Sequence, residues 1–533
     1  MSGPSAGTDV HVRTASDRAV LVEAPDLDTS MRLHRALEAD PPTGVTELVP
    51  GARTILVHHD PRAVTRARLA AAILATQPDT GAAAASRAVT VPVHYDGEDL
   101  TDVAELLGVS VDEVVARHTG ATWQVAFCGF APGFGYLACD DPLFDVPRRP
   151  SPRTRVPAGS VGLAGHFTGV YPRESPGGWQ LIGHTDEVMW DLDREPPALF
   201  APGATVRFEA ARPAATVAPG PSPAQPSRTS AGPTEAAGAL EVVRPGLQLL
   251  VQDRGRPGMA ALGVSASGAA DRTALLDANR AVGNGPDAAA LEVVGGGAVL
   301  RFRDARVAVV TGATARLGLT AADGTAQQIG HGVPFAVEDG DELTLGAADT
   351  GLRTVVAIRG GVVVPDALHS RATDTLAGLG PAPLGADDVV ALGDPTGAPF
   401  PVDPAVPPRP PLPRAGETVV LDIVLGPRDD WFTDEALQVL QSQPWLVTPR
   451  SDRVGVRLQG ETPLARARDG ELPSEGAVTG AIQVPPEGQP VLFLPDHPLT
   501  GGYPVIGAVV DRCLDLAAQL PPGAYVKFRV RKD

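Results

Sequence analysis

Short apolar runs, each closed by a glycine or proline turn, recur along most of this chain and restrict its fold more than any other feature. Residues 89–95, 123–128, 160–164, 180–182 and 205–209 read as strands. So do 247–251, 298–302, 306–310, 342–345, 354–358, 418–424, 481–484, 491–494 and 526–530. Many short strands at close spacing argue for barrels or sandwiches rather than a parallel sheet. Helices interrupt this pattern rarely. Ser110 is placed to cap one, with Glu113 at the capping-box position and Val111, Val114, Val115 and His118 on one face. Another is expected over 272–282, stopped by Gly283. The N-terminal segment mixes both types. Strands are expected at 19–23, 46–49 and 53–58. One helix should run from a Ser30 cap to 37, and a second should start at Asp60 and Pro61 with Leu69 and Ile73 on its apolar face.

Residues 211–238 (ARPAATVAPGPSPAQPSRTSAGPTEAAG) have no apolar periodicity and read as a linker. A second proline-rich joint lies at 398–413. The expected organisation is a small α+β domain at 1–85, a β domain at 86–210, the linker, and two β sub-domains at 239–400 and 414–533. The class is mainly β with an α+β N-terminal domain. One element repeats: Thr-Gly-x-Tyr-Pro occurs at Thr168 and again at Thr500, each time leading into an apolar run. A Gly-x-Val turn precedes each copy, at Gly159 and at Gly476. The two halves are therefore expected to hold related barrels that present equivalent loops.

The net charge is -19, which disfavours nucleic acid and anionic membranes as partners. No apolar segment reaches membrane-spanning length, and a cytoplasmic protein is expected. Cys128, Cys139 and Cys513 form no metal or disulfide pattern. All but two of the 44 basic residues are arginine, the exceptions being Lys527 and Lys532. A Schiff-base lysine or a lysine-bearing phosphate loop is thus not expected, and anions must be met by arginine, backbone N–H groups and helix N-termini. No methionine is followed by lysine, so covalently attached biotin is not expected.

Three stretches, FCGFAPGFGYL (127–137), SPRTRVPAGSVGLAG (151–165) and YPRESPGGWQLIGHT (171–185), resemble the B-type subunit of bacterial 5-oxoprolinase, a family also known as a sporulation-kinase inhibitor and as allophanate hydrolase subunit 1. RPGLQLLVQDRGRPGMAALGVSASGAADR (244–272), NGPDAAALEVVGGG (284–297), HSRATD (369–374), SDRVGVRLQG (451–460) and SEGAVTGAIQVPPEGQPV (474–491) resemble the C-type subunit, the inhibitor's antagonist. The chain looks like a fusion of the two. The resemblance implies cyclophilin-like β-barrels in both halves. It also implies ATP with Mg²⁺ as co-substrate, 5-oxo-L-proline opened to L-glutamate, and the separate A-type subunit of 5-oxoprolinase as partner. A homodimer stays open. The same modules form the carboxyltransferase part of urea carboxylase, so biotin-dependent carboxyl transfer to a urea-like amide is an alternative. A histidine-kinase regulator is another, although fusing an inhibitor to its antagonist would cancel the regulation. Several positions depart from the family pattern: Gly135, Phe167, His184, Pro498 and Leu499.

Candidate residues come from these motifs. Arg153 and Arg155 could clamp a carboxylate or phosphate, or pair with Glu or Asp at the surface. His166, Glu475, Asp496 and Asp374 are the acid/base candidates, and Glu475 with Asp496 could hold Mg²⁺. No resident metal is assigned. His118 is either a core histidine or a functional one. Ser267 precedes a helix start whose free N–H groups could bind phosphate, or it is a cap. Arg371 suits anion binding, Trp179 and Tyr503 could stack on a planar ring, and Gln180 lies beside Trp179.

Overall fold

A computed structural model describes residues 10–79, 81, 87–149, 151–211, 237–404, 406–407, 409–470 and 472–531. The alanine-rich joint at 82–86 and positions 212–236 of the linker lie outside the described residues.

The N-terminal unit is a four-stranded antiparallel sheet in the order His11–Ser16, Ala19–Glu23, Thr54–His59, Val45–Pro50. Side chains on a strand alternate between faces, and here both faces are covered. Val20, Val22, Ile55 and Val57 pack against helices Leu27–Ala39 and Arg66–Ala75 through Leu33, Leu37, Leu69 and Ile73. Ala15, Ala19, Leu21 and Leu56 face the other way, onto the C-terminal half. Both helices start away from the expected positions. Asp26 caps the first, its Oδ1 accepting from Thr29 N at 2.7 Å, and Ser30 is buried one turn inside. Thr65 caps the second, because Asp60 and Arg62 bond to each other in a preceding turn.

The next domain is a seven-stranded sheet in the order Gln180–His184, Ser160–Ala164, Phe167–Val170, Gly135–Ala138, Trp123–Cys128, Thr205–Ala210, Ala88–Val93. A two-way bridge between His94 and His184 joins its edges. Ser110 caps helix Val111–Gly120 as expected, accepting from Glu113 N at 3.2 Å. A helix the sequence did not announce, Leu100–Leu107, precedes it and ends at Gly108 with φ +67°. The last domain is a closed barrel of Thr418–Leu425, Val505–Val509, Ala481–Gln483, Val491–Phe493, Gly455–Gln459, Trp445–Val447 and Tyr525–Val530. The two strand orders are the same, and in each the first and last strands pair in parallel. In each, a buried tryptophan donates its indole N–H at 3.0 Å to the carbonyl five residues earlier, Trp123 to His118 and Trp445 to Leu440. The halves thus hold related barrels.

The Thr-Gly-x-Tyr-Pro repeat does not mark that relation. Thr168 lies within strand Phe167–Val170, whose counterpart is Val491–Phe493, whereas Thr500 precedes Val505–Val509, whose counterpart is Gln180–His184. The true equivalents are GGWQLIG (177–183) and GGYPVIG (501–507).

Between the barrels along the chain comes a ten-stranded sheet built on two long strands, Arg306–Thr320 and Glu342–Ile358. Helix Arg272–Val282 packs on it, capped by Asp271 and ended by Gly283 at φ +76°. Among the described residues no helix is long and apolar enough to cross a membrane.

The halves share an apolar core in which Leu21, Val49 and Leu56 meet Val478, Phe493, Leu499 and Val505. Arg428 bridges Glu23 and Glu475 across it. Ala52 N donates to Ser474 O at 2.8 Å and Gly133 N to Leu262 O at 3.1 Å. Each fully buried aliphatic side chain adds about 1.5–3 kcal/mol. Protease cleavage within 212–236 is therefore expected to leave the halves co-eluting on gel filtration. Separate elution would contradict this interface.

Candidate active site

The predicted residues fall into two groups, one drawn together and one dispersed. Asp374, Asp496 and Ser267 converge in the C-terminal half where the barrel meets the ten-stranded sheet. Asp496 is fully buried and accepts five hydrogen bonds: from Ser267 Oγ at 2.7 Å, Thr375 N at 2.9 Å, Thr375 Oγ1 at 2.7 Å, and Arg453 Nε and Nη2 at 3.0 Å each. Ser267 reaches it from a left-handed backbone conformation, φ +52°. Arg453, equally buried, also binds Glu292 and the Gly268 carbonyl. Asp374 is 1% exposed. Its Oδ1 accepts from Leu376 N at 3.0 Å and Ala377 N at 2.8 Å, and its Oδ2 from Ser265 Oγ at 3.2 Å.

The two carboxyls are pushed apart in acidity. Burial, then the neighbouring charge of Asp496, raises Asp374 to about 6. Burial also works against ionised Asp496, but the Arg453 charge and the bonds from Arg453, Ser267 and Thr375 outweigh it and hold Asp496 below the usual range. Two carboxyls with separated acidities suit one proton carrier and one fixed negative charge.

Three arginines complete the cluster, and none was singled out in the sequence. Arg453 and Arg256 lie in the motifs SDRVGVRLQG and VQDRGRPG, and Arg173 comes from the N-terminal half, in YPRES. Arg371 stands at the edge. Its N–H donates to Asp253 Oδ2 at 2.6 Å and its Nε to the Val364 carbonyl at 3.0 Å.

The helix start beyond Ser267 is not an open anion site. Asp271 caps it, and Asp515 accepts from Arg272 N at 3.1 Å and Thr273 N at 3.2 Å. The expected Glu475–Asp496 pair is not formed either, because Glu475 is taken by Arg428 and Asp496 by Arg453. Among the described residues no group of three or more His, Cys, Asp or Glu could hold a metal ion.

The remaining candidates lie elsewhere. His118 is in the core, bonded to Tyr95 Oη at 2.7 Å and Thr168 Oγ1 at 3.0 Å, and stacked on Phe208. Burial pushes it down to about 3, so it stays neutral. Arg153 does clamp a carboxylate, but the protein's own: Asp99 at 2.8 Å. Arg155 is exposed and pairs with Glu174 at 2.6 Å, and His166 is exposed, 3.8 Å from Asp145. Trp179 is buried edge-on against Phe134 and Tyr136. Gln180 donates to the Pro147 carbonyl at 3.2 Å. Tyr503 is exposed, its carbonyl accepting from Gln483 at 3.4 Å. Between the barrels, Phe130, at φ +65°, donates its N–H to Thr500 Oγ1 at 2.9 Å and faces Tyr171. The loops around the two Thr-Gly-x-Tyr-Pro segments therefore meet across the junction, although they are not equivalent.

Two barrels of one strand order, a small α+β unit and a buried acid pair in the C-terminal half make up an architecture of the carboxyltransferase-domain type. The chain belongs to the carboxyltransferase-domain family: residues 262–530 match subdomains A and B of that domain, and residues 10–200 match subdomains C and D. It is 48% identical over 126 residues to the B-type 5-oxoprolinase subunit of Escherichia coli O157:H7, covering 23% of this chain and 58% of that relative. It is 33% identical over 297 residues to the C-type 5-oxoprolinase subunit of Escherichia coli K12, covering 54% of this chain and 90% of that relative. A urea amidolyase from Lachancea kluyveri is 32% identical over 314 residues, 54% of this chain but 17% of that protein. The crystal structure of TTHA0988 superimposes with a TM-score of 0.81 at 36% identity, over 96% of this chain and 99% of that one. One polypeptide thus joins regions similar to the B-type and C-type proteins.

Proposed function

We propose that the chain supplies the B and C parts of an ATP-dependent, cytoplasmic 5-oxoprolinase that opens 5-oxo-L-proline to L-glutamate together with a separate A-type subunit. The observation that supports this most is the site itself. It uses residues of both halves, and the relatives of those halves are named as two subunits of that one enzyme. A lactam carbonyl is a poor electrophile, and ATP with Mg²⁺ would activate it by transferring the γ-phosphoryl to its oxygen with release of ADP. One water would then add to the ring carbon as the nitrogen departs, and a second would hydrolyse the resulting acyl phosphate to L-glutamate and phosphate. Ring opening then needs a proton for the departing nitrogen and a base for the attacking water. Asp374 suits both, since it exchanges its proton near neutral pH. Asp496, held ionised by Arg453, fixes the charge beside it. Similarity to urea amidolyase favours a second reading, carboxyl transfer to a urea-like amide using carboxybiotin from another chain.

Glutamate release distinguishes the two. The purified chain alone is expected to release none from 5-oxo-L-proline and ATP, and addition of the A-type partner should start stoichiometric release. Sustained release by the lone chain would remove the partner from the proposal. No release by the complex, with carboxybiotin-dependent turnover of urea, would replace the first reading by the second.

A further inference from the structure

Buried Arg256 and half-buried Arg173 have no carboxylate partner among the described residues. Among the buried arginines, Arg453 is balanced by Asp496 and Glu292, Arg428 by Glu23 and Glu475, Arg306 by Asp304, and Arg353 lies 3.7 Å from Glu292. Arg256 is 2% exposed, and its Nε and Nη2 donate to the carbonyls of Ala367 and Ala372. Its Nη1 is buried without a hydrogen-bond partner among the described residues; one nitrogen each of Arg306 and Arg353 is too, but those arginines have a carboxylate within 4 Å and Arg256 has none. A buried charged donor left unpaired is costly and calls for an explanation. Arg173 is half-buried and, among the described residues, forms no hydrogen bond or ion pair. It leaves the N-terminal half and lies over the turn at Asp374–Leu379. A Cβ on Gly378 would come within 3.0 Å of its Nη1, and Gly378 has φ +67°. A side chain at 378 would therefore be strained and would crowd the guanidinium.

Both guanidinium groups feel the charge of Asp374, Arg173 from one half and Arg256 from the other. Neither forms an ion pair with it; the Asp374 oxygens accept from Leu376 N, Ala377 N and Ser265 Oγ. The cluster therefore holds two cationic forks converging on one carboxyl that is itself neutral below about pH 6. Asp253 and Asp496 also act on Arg256 through space, but neither bonds to its guanidinium among the described residues.

We propose that Arg173 and Arg256 form a two-sided slot for the carboxylate of a small substrate, one arginine from each half, which sets the substrate's amide against Asp374. This rests on the reading of the chain as part of a lactam-opening enzyme. Guanidinium matches a carboxylate in shape and charge, and the pair explains why the site spans the halves. Within that reading, the slot favours a cyclic amide bearing a carboxylate over an uncharged urea.

The test uses the complete complex for kinetics and the full chain for calorimetry, with 5-oxo-L-proline and its carboxamide as probes. Arg173→Gln breaks no hydrogen bond within the described residues, so its thermal midpoint should match the parent. Its KM for 5-oxo-L-proline should rise about 10- to 150-fold with kcat little changed. Arg256→Lys, which keeps a donor toward the Ala367 and Ala372 carbonyls, should raise KM in the same direction. The parent chain should bind the acid and discriminate against the carboxamide, and Arg173→Gln should lose that discrimination. Turnover by the complex with an unchanged KM in Arg173→Gln overturns the slot and leaves the function standing. Absence of turnover in the parent complex, with the acid still preferred over the carboxamide by the chain, sinks the function and supports the slot. Equal or absent binding of both probes by the parent chain overturns the slot.

Discussion

Asp496→Asn is expected to lower the thermal midpoint sharply, by about 6–12 °C, before any question of activity arises. The substitution keeps the size of the side chain and removes its charge. On an exposed loop that would be mild. Here the carboxylate is fully buried and all five of its bonds come from donors. An asparagine amide would turn an NH₂ group toward at least two of them, setting donor against donor. Arg453 would remain buried with Glu292 as its one other carboxylate. Removing one partner of a buried pair costs about 3–5 kcal/mol. The surviving Glu292 places the cost near the lower end, about 3 kcal/mol, which for a domain of this size is roughly 2–4 °C per kcal/mol. Calorimetry of the full chain measures it. High salt should rescue little, because a buried pair is weakly screened. Replacing both partners, Asp496→Leu with Arg453→Met, should recover part of the loss. A midpoint matching the parent's in the single variant would show that the pair does not hold this region.

Much of the scaffold was legible because local chemistry decided it. The Ser110 cap, the helix from Arg272 to Gly283 and the strand runs all follow from side chains acting on their own backbone. Misreadings came where two local signals competed. Ser30 and Asp26 can both cap a helix, and only the packing of Leu33 and Leu37 selects the earlier start. Thr-Gly-x-Tyr-Pro looked like a repeat because it recurs by letter, whereas GGWQLIG and GGYPVIG recur by place in the barrel. At the site, the acids stood out because Asp374 and Glu475 lie in the resemblance motifs and Asp496 at the mouth of the repeated loop. The arginines did not. With nearly every basic residue an arginine, nothing in the sequence separates Arg155, exposed beside Glu174, from Arg453 at the centre of the buried network. Burial is a property of tertiary contacts, and Arg173 acquires its significance from the distant turn at Gly378 in the other half.

Asp374→Asn should separate activity from stability in the opposite sense to Asp496→Asn. Its carboxyl is raised from 3.8 to about 6 in the folded chain, by burial first and by Asp496 second. Below pH 3.8 the group is protonated whether the chain is folded or not, and it contributes nothing. Between about 3.8 and 6 the unfolded chain has released the proton while the folded chain keeps it, so stability falls as pH rises. Above about 6 the loss is complete, at roughly 3 kcal/mol. Asparagine never ionises. It retains an oxygen for Leu376 N and Ala377 N, and the Ser265 hydroxyl can turn from donor to acceptor for the new NH₂. The variant should therefore be at least as stable as the parent at about pH 8 and should lose that advantage toward about pH 4. Its turnover in the complete complex should fall about 10²- to 10⁴-fold, the contribution typical of a positioned acid or base. The parent's pH–rate profile should show an ionisation near 6 that the variant's residual rate lacks. Full activity in Asp374→Asn, or a loss of activity that tracks a falling midpoint at alkaline pH, would remove Asp374 from the chemistry and leave it a buried turn residue.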